Sequence, residues 1–432
     1  MKVQDPMKNV DPRTLVRKTK GDRSLWLIVI FLYMISMLAV YSSTSALAVR
    51  KHSSTEAFLF GQIGFGVVGL FFMWVAHSMN YKFYSRVSQL VFFLAIPLLF
   101  YTLVFGSHVN DASRWIKIPY TPLSFQPSDI AKFALLLYLA RLLAKRQDVI
   151  TDLRKGFFPV IIPVLLTFFL ILPANFSTAA ILLATCMIVI FFGRASLKHI
   201  AGLVGVMVIA VVFLIGIAKL VGYDGRISTW TSRISNFGSA EKKEVSFQTQ
   251  QANIAIANGS WTGLGPGNSK QCNYLPHAYS DFIFATIVEE YGMLGAAAVI
   301  FLYLVFLFRC IKIFRKCNGA FGGFLVLGLG FSLTIQALMH MAVNVHLFPV
   351  TGITLPFISK GGTSFIMTCI SAGIILSVSR YIENPEDLNP DTIAAATENS
   401  APVNTPAAAS ASLENLPPTP IADAPTKSGD PF

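Results

Sequence analysis

The chain has 432 residues, of which 54% are hydrophobic and only 13% are charged, with a formal net charge of +12. Soluble domains contain about 25% charged residues, so this composition excludes an ordinary soluble enzyme and predicts an all-α polytopic membrane protein. The basic balance alone does not indicate nucleic-acid binding, because in a membrane protein the position of each charge matters more than the sum.

Apolar runs of the length needed to cross a bilayer, roughly 17–25 residues, divide the chain into about ten predicted transmembrane helices. They are Leu25–Ala46, Ala57–Ala76, Leu90–Phe105, Pro127–Leu143, Phe157–Leu172, Thr178–Phe192, Ile200–Val221, Phe282–Phe308, Phe321–Val343 and Thr363–Ser379. With the N-terminus inside, cytoplasmic segments carry 21 Lys and Arg residues and exterior loops carry ten. The positive-inside rule therefore predicts an N-in/C-in topology.

The segments outside these spans define the predicted domains. Residues 1–24 form a basic cytoplasmic tail, residues 25–381 form the ten-helix domain, and residues 222–281 form a large extracytoplasmic loop between helices 7 and 8. Within that loop Phe247, Ile254 and Trp261 recur every seventh residue, which predicts a short interfacial helix. The tail 382–432 is rich in Pro, Ala, Ser and Thr and is predicted to be disordered.

Three carboxylates stand out in the stretch "PHAYSDFIFATIVEEYG" at 276–292. Asp281 has two compatible interpretations, since Asp281 or Ser280 would cap the eighth helix, and a carboxylate at the outer membrane surface could also act as a general base. On a helix, Glu289 would lie about 12 Å deeper in the membrane than Asp281, and Glu290 would lie on nearly the opposite face from Asp281. Acids at that depth are costly unless paired, so both are expected to form structural ion pairs.

A second polar group opens the fourth predicted helix, in "QPSDIAK". Asp129 and Lys132 are three residues apart and therefore lie on one helical face. Either the two side chains form a structural ion pair whose charges cancel, or Lys132 holds a phosphate group beneath an exterior cavity. The run "GLGPGNS" at 263–269 is only loosely similar to a phosphate-binding loop, because it lacks the lysine at the required offset.

Several of these segments together resemble one known family. "VNDASRWI", "FQPSDIAK", "FQTQQA", "GLGPGNS", "YLPHAYSDFIFATIVEEYGMLG" and "FPVTGITLPFISKGGTSF" occur in the order found in the SEDS proteins (shape, elongation, division and sporulation), the peptidoglycan glycosyltransferases FtsW and RodA. The resemblance covers roughly residues 24–381. It is strongest to the FtsW branch, with RodA second.

The resemblance implies an inverting glycosyltransferase that joins lipid II units at the outer face of the bacterial cytoplasmic (inner) membrane, in septal wall synthesis during cell division. Asp281 matches the family's essential exterior aspartate, the catalytic base. A class B penicillin-binding protein and other divisome proteins are the implied partners, and a divalent cation, Mg²⁺ or Mn²⁺, is an optional cofactor. The candidates for binding substrate or diphosphate are Lys132, Arg114, Arg226, Arg233, Asp129, Gln248, Gln251, Asn268, His277, Ser359 and Lys360.

Some positions depart from the family pattern, and other functions stay open. Asn175 stands where an aspartate is common, Lys360 replaces a tyrosine, and His340 replaces an asparagine. The alternatives are a lipid II flippase, a RodA-type polymerase for cell elongation, and a scaffold without catalytic activity. A flippase needs polar groups accessible from both sides, whereas these motifs are predicted at the exterior ends of the helices.

Overall fold

The computed structural model describes residues 21–44, 47, 54–105, 107–109, 112–117, 124–221, 247–275 and 277–383. The two predicted tails fall almost wholly outside these residues, and so does the first part of the long loop, with Arg226 and Arg233. The part that is described is a bundle of helices.

The helices in chain order are α1 (Arg23–Ser43), α2 (Thr55–Ser78), α3 (Tyr81–Phe105), α4 (Pro127–Arg146), α5 (Phe158–Ile171), α6 (Phe176–Phe192), α7 (Leu197–Val221), α8 (Phe247–Gly259), α9 (Ile283–Lys316), α10 (Ala320–Asn344) and α11 (Gly362–Glu383). Strands β1 (Ser107–Val109), β2 (Ala112–Lys117) and β3 (Ser124–Phe125) lie between α3 and α4. A π-helical turn, Leu153–Phe157, leads into α5, and a 3-10 turn, Gln271–Asn273, follows α8.

Each of the ten predicted spans overlaps one of these helices, and α8 is the additional short helix predicted in the long loop. Seven helical segments in the described part are long and apolar enough to cross a membrane: α1, α2, α3, Leu153–Ile171, α9, α10 and α11. The helical membrane fold is therefore confirmed, whereas the count of ten spans and the N-in/C-in topology remain predictions. Helices α3 and α9 extend past their predicted spans, because charged residues end an apolar run without ending a helix.

The strands are a local departure from the all-α prediction. Strand β2 pairs antiparallel with β1 and with β3, so the loop ahead of α4 folds back on itself. The sequence "SRWIK" in β2 contains aromatic and β-branched residues, which favour extended backbone. Only Gln126 separates β3 from α4, so Asp129 and Lys132 follow closely after this strand.

Helix α2 packs closely against α11. A Cβ atom at Gly373 would lie 2.3 Å from the carbonyl oxygen of Met73, so only glycine allows the two backbones to approach at this point. Small residues that permit such close contact are typical of helix pairs within membranes. This packing fixes the start of α2 beside the segment that precedes α11.

Two polar contacts define the direction of α1 relative to α9. Asp22 caps α1 and accepts a hydrogen bond of 2.8 Å from Arg309 Nε near the end of α9. At the other end of α1, the Ser42 hydroxyl donates to the carboxylate of Glu290 near the start of α9. The two helices are therefore antiparallel, and the start of α9 lies at the end of the bundle opposite Asp22.

Candidate active site

Asp281 lies half-buried in a tight turn immediately before α9. The N–H groups of Ser280 and Asp281 both donate to the carbonyl oxygen of His277 at 3.0 Å, and His277 has a left-handed φ of +60°. Since the turn precedes α9, it lies at the end of the bundle opposite the N-terminus of α1.

The backbone of this turn is held by two other parts of the chain. The carbonyl oxygens of residues 279–281 accept hydrogen bonds in succession from the N–H of Lys360 (3.0 Å), the hydroxyl of Ser359 (2.7 Å) and the side-chain amide of Asn344 (3.0 Å). Asn344 is the last residue of α10, and the other two belong to the segment 353–361 ahead of α11. Three consecutive fixed carbonyls leave the backbone at Asp281 little freedom.

The predicted helix cap at Ser280 or Asp281 is wrong. Helix α9 begins at Ile283 with Phe282 at the N-cap position and no hydrogen bond from a capping side chain there. The N–H of Ala285 in the first turn instead donates to Oδ1 of Asn344 at 3.1 Å. The first turn of α9 is therefore capped by a side chain of α10, and the turn before α9 makes the backbone contacts described above.

An ammonium group lies close to the Asp281 turn. Lys360 Nζ lies 3.9 Å from the ring centre of Phe58 in α2 and 5.5 Å from that of Tyr279, which are distances of cation–π contact. Burial raises the pKa of the Tyr279 hydroxyl, and the negative charge of Asp281 raises that pKa further. A cation and a carboxylate therefore both act on Tyr279.

Glu289 and Glu290 are both buried and are held by hydrogen bonds. The Glu289 carboxylate accepts from the Ser269 hydroxyl at 2.5 Å, from the backbone N–H groups of Lys270 (3.2 Å) and Gln271 (3.3 Å), and from Asn258 Nδ2 (3.3 Å). Glu290 accepts a hydrogen bond from the hydroxyl of Ser42, and the backbone N–H groups of Gly267 and Ser269 lie near its carboxyl group.

These contacts correct the ion pairs predicted for the two glutamates. In the described part of the chain the partners of both glutamates are hydroxyl, amide and backbone donors, so hydrogen bonds replace the expected ion pairs. The N–H groups of Lys270 and Gln271, directly after the loop 263–269, donate to the Glu289 carboxylate, whereas those of Leu264 and Gly265 within the loop donate to backbone carbonyl oxygens of α9.

Helix α9 is broken at Gly292, and the glycine-rich loop fills the break. Gly292 has φ +66°, and the N–H groups of Leu264 and Gly265 donate to the carbonyl oxygens of Glu289 and Glu290 at 2.9 and 3.0 Å. A Cβ atom at Gly292 would lie 2.3 Å from the carbonyl oxygen of Trp261. Position 292 therefore requires glycine for its conformation and for the close approach of the loop.

Replacing Gly292 by Ala is expected to destabilise the protein by roughly 3 kcal/mol or more, because left-handed strain adds to a clash with backbone. Thermal unfolding in detergent, followed by loss of the monodisperse species, measures this change. The control is Gly64→Ala in α2, where a Cβ meets no atom within 4 Å and helix propensity favours Ala by about 1 kcal/mol. Equal melting temperatures for the two variants would contradict the prediction.

The predicted pair in α4 is present. Lys132 Nζ lies 2.8 Å from Asp129 Oδ1, and Pro127 occupies the first turn of the helix as expected. Lys132 Nζ also lies 3.4 Å from Oε1 of Gln336 in α10, whose Nε2 donates to the carbonyl oxygen of Thr354 at 2.9 Å. The segment 353–361 therefore contacts both the Asp281 turn and the residue that holds Lys132.

A small polar cavity lies beside this pair, between α4, α10 and α11. Its volume is about 40 Å³, and four hydroxyl residues line it together with Asp129, Lys132 and Gln336: Ser332, Ser364, Thr368 and Ser371. A cavity of this volume and polarity has room for water. The geometry fits both interpretations of the pair, as neutralised structural charges and as a cation beside a hydrated space.

The remaining candidates differ in how accessible they are. Gln248 and Gln251 are half-buried on α8, and Asn268 and His277 are exposed. Ser359 is only 4% exposed, and its hydroxyl accepts from the N–H of Leu355 while donating to Ser280. Ser359 therefore supports the turn from inside. The side chain of Arg114, in β2, lies outside the described part, as do Arg226 and Arg233.

Sequence reasoning did not assign a role to Asn344 or Gln336, although both hold predicted site residues in place. The available signal was the presence of amide side chains inside the apolar run of α10, since polar residues at such depth mark paired or functional positions. No sequence pattern could have identified Phe58 as a contact of Lys360, because phenylalanine is common in membrane helices.

No group of three His, Cys, Asp or Glu side chains that could hold a metal ion occurs among the described residues.

Comparisons with known proteins agree on one family. The model of the cell cycle protein family FtsW/RodA/SpoVE matches residues 22–384. Stage V sporulation protein E of Bacillus subtilis is 31% identical over 84% of this chain and 98% of its own length. The probable peptidoglycan glycosyltransferase FtsW of Geobacter sp. (strain M18) is 32% identical over 84% of this chain and 98% of its own length.

Two solved structures share the fold. A chain from a structure that describes how a peptidoglycan synthase complex coordinates polymerization and crosslinking aligns with a TM-score of 0.68, at 22% identity over 84% of this chain and 99% of that chain. The rod shape determining protein RodA of Thermus thermophilus aligns with a TM-score of 0.61, at 22% identity over 84% of this chain and 97% of that chain. The chain belongs to the FtsW/RodA/SpoVE family of cell cycle proteins and is an integral membrane protein with the fold of that family.

Proposed function

We propose that this protein is a peptidoglycan glycosyltransferase that polymerises lipid II at the outer face of the cytoplasmic membrane, with Asp281 as its catalytic base. The observation that carries the proposal is the Asp281 turn itself. Its backbone is fixed from two sides, and the ammonium of Lys360 lies over the ring of Tyr279 within the same turn. A carboxylate on a fixed turn, with a cation near the same turn, fits a reaction that removes a proton and releases a diphosphate.

The reaction forms one bond and breaks one. The 4-hydroxyl oxygen of the acceptor's N-acetylglucosamine attacks C1 of the donor's N-acetylmuramic acid while Asp281 takes the hydroxyl proton. The bond between C1 and the diphosphate oxygen breaks, and undecaprenyl diphosphate leaves with both electrons. Attack opposite the leaving group inverts the anomeric centre.

The developing charge on the diphosphate needs cations in place before the reaction, because preorganised charges stabilise a transition state most effectively. Lys360 and Lys132 are the described lysines that fit this role. Both are linked to the segment 353–361, Lys360 by belonging to it and Lys132 through Gln336 and Thr354. Mg²⁺ or Mn²⁺ bound to the diphosphate itself would add to these charges.

The names of the relatives support the cellular role. Several are named probable peptidoglycan glycosyltransferase FtsW, which supports septal synthesis in the inner membrane over a RodA-type role in elongation. One structural neighbour comes from a complex that couples polymerization to crosslinking. A class B penicillin-binding protein, which carries the transpeptidase, is therefore the proposed partner, together with other divisome proteins.

The deciding experiment measures glycan formation by the purified protein with its cognate penicillin-binding protein and lipid II, with moenomycin present to inhibit contaminating polymerases of the classical type. Glycan chains that depend on this protein support the proposal. Absence of chains, together with transfer of lipid II across liposome membranes, would replace the polymerase with the flippase. Chains that form with a RodA-type partner only would move the role from division to elongation.

A further inference from the structure

We propose that Asn344 is the positioning residue for Asp281, acting through the backbone of the Asp281 turn and the first turn of α9. This inference rests on the proposed function, because it assigns a role in the same reaction. No substrate contact is assigned to Asn344.

Asn344 is 1% exposed, and both donors of its side-chain amide are used. Its Nδ2 donates to the carbonyl oxygen of Asp281 at 3.0 Å and to that of His340 at 2.9 Å, while its Oδ1 accepts from the N–H of Ala285 at 3.1 Å. One amide thus joins the end of α10 to both sides of the junction between the Asp281 turn and α9.

Only an amide of this length satisfies all three partners. Two of them are carbonyl oxygens and one is an N–H group, so the side chain must supply two donors and one acceptor, as asparagine does. A carboxylate at this position keeps the acceptor and loses both donors, which leaves oxygen facing oxygen at two contacts. An alanine removes both donors and the acceptor, so the carbonyl oxygen of Asp281 and the N–H of Ala285 lose this partner.

The second support of the turn comes from the segment 353–361. The Ser359 hydroxyl binds the carbonyl oxygen of Ser280 at 2.7 Å and is itself fixed by the N–H of Leu355 at 2.8 Å. Asn344 and Ser359 therefore restrain neighbouring peptide units of one turn. A displacement of about 1 Å in a catalytic group costs roughly 100-fold in rate, so loss of either support is expected to act on catalysis.

The test measures steady-state glycan synthesis by Asn344→Asp, Asn344→Ala and Ser359→Ala, each in complex with the cognate penicillin-binding protein. We expect kcat per folded molecule to fall about 10- to 100-fold while KM for lipid II changes less than about threefold. The activity of Asn344→Asp relative to wild type should rise as pH falls, because a protonated carboxyl group regains one donor. The effects of Asn344→Ala and Ser359→Ala should not be additive, since both act on one turn.

The matched control is Asn175→Ala, which removes another buried asparagine whose Oδ1 caps α6 through the N–H of Thr178. It is expected to lower the melting temperature and to leave kcat per folded molecule within about twofold. If the Asn344 variants show the same pattern, with lowered stability and unchanged kcat, Asn344 is only structural and the inference fails. If Asp281→Asn itself retains full activity, the proposed function fails first, and that outcome is separate.

Discussion

Replacing Asp281 by Asn is expected to abolish glycan polymerisation and to leave the protein folded. Asparagine has nearly the same shape as aspartate, and the hydrogen bond from Asn344 binds the backbone carbonyl of residue 281, which the substitution keeps. What is lost is the proposed general base, and general-base catalysis contributes roughly 10²- to 10⁴-fold. Gel analysis of glycan chains measures the result. A loss of roughly 100-fold or more requires a detection limit below about 1% of the wild-type product.

Glu56→Gln is the matched control. Glu56 is an exposed carboxylate in the first turn of α2, two residues from Phe58 and thus at the same end of the bundle. Its replacement removes one negative charge from that surface without touching the Asp281 turn, and activity should stay within about twofold of wild type. Full polymerisation by a folded Asp281→Asn variant would remove Asp281 from the chemistry.

The helices could be predicted from the sequence because burial in lipid imposes one simple condition, an apolar run of sufficient length. The ends of α3 and α9 could not, because a helix continues past the membrane wherever its backbone hydrogen bonds persist. The break at Gly292 was also invisible within an apparently continuous span. It depends on the loop 259–265, which folds back onto the break and supplies the backbone partners.

Asp281 and the pair Asp129–Lys132 could be identified because charged residues are rare in such a chain. Their supports were harder to find, since Asn344 lies 63 residues from Asp281 and Gln336 lies 204 residues from Lys132. Contacts of that separation follow from helix packing and leave no local pattern. For the same reason the partners of Glu289 were mispredicted as cations, when the loop that folds over this carboxylate supplies hydroxyl and backbone donors instead.

The second large effect is expected at Lys132. Lys132→Gln leaves the carboxylate of Asp129 without its cation, at a position where the Lys132 side chain is 16% exposed and that of Asp129 10%. Removing one partner of a buried ion pair costs about 3–5 kcal/mol, so this variant should lose stability as well as activity. A single substitution therefore cannot separate a structural pair from a cation that binds diphosphate.

The double variant Asp129→Asn with Lys132→Gln separates the two interpretations, because a neutral pair of similar size removes the uncompensated charge and should restore most of the melting temperature. If Lys132 binds the diphosphate, polymerisation stays at least about 100-fold below wild type. Recovery of activity together with stability would make the pair structural. The control is the Asp22–Arg309 pair at the opposite end of the bundle. There Asp22→Asn with Arg309→Gln should change stability alone, because that pair lies at the end of the bundle opposite the Asp281 turn.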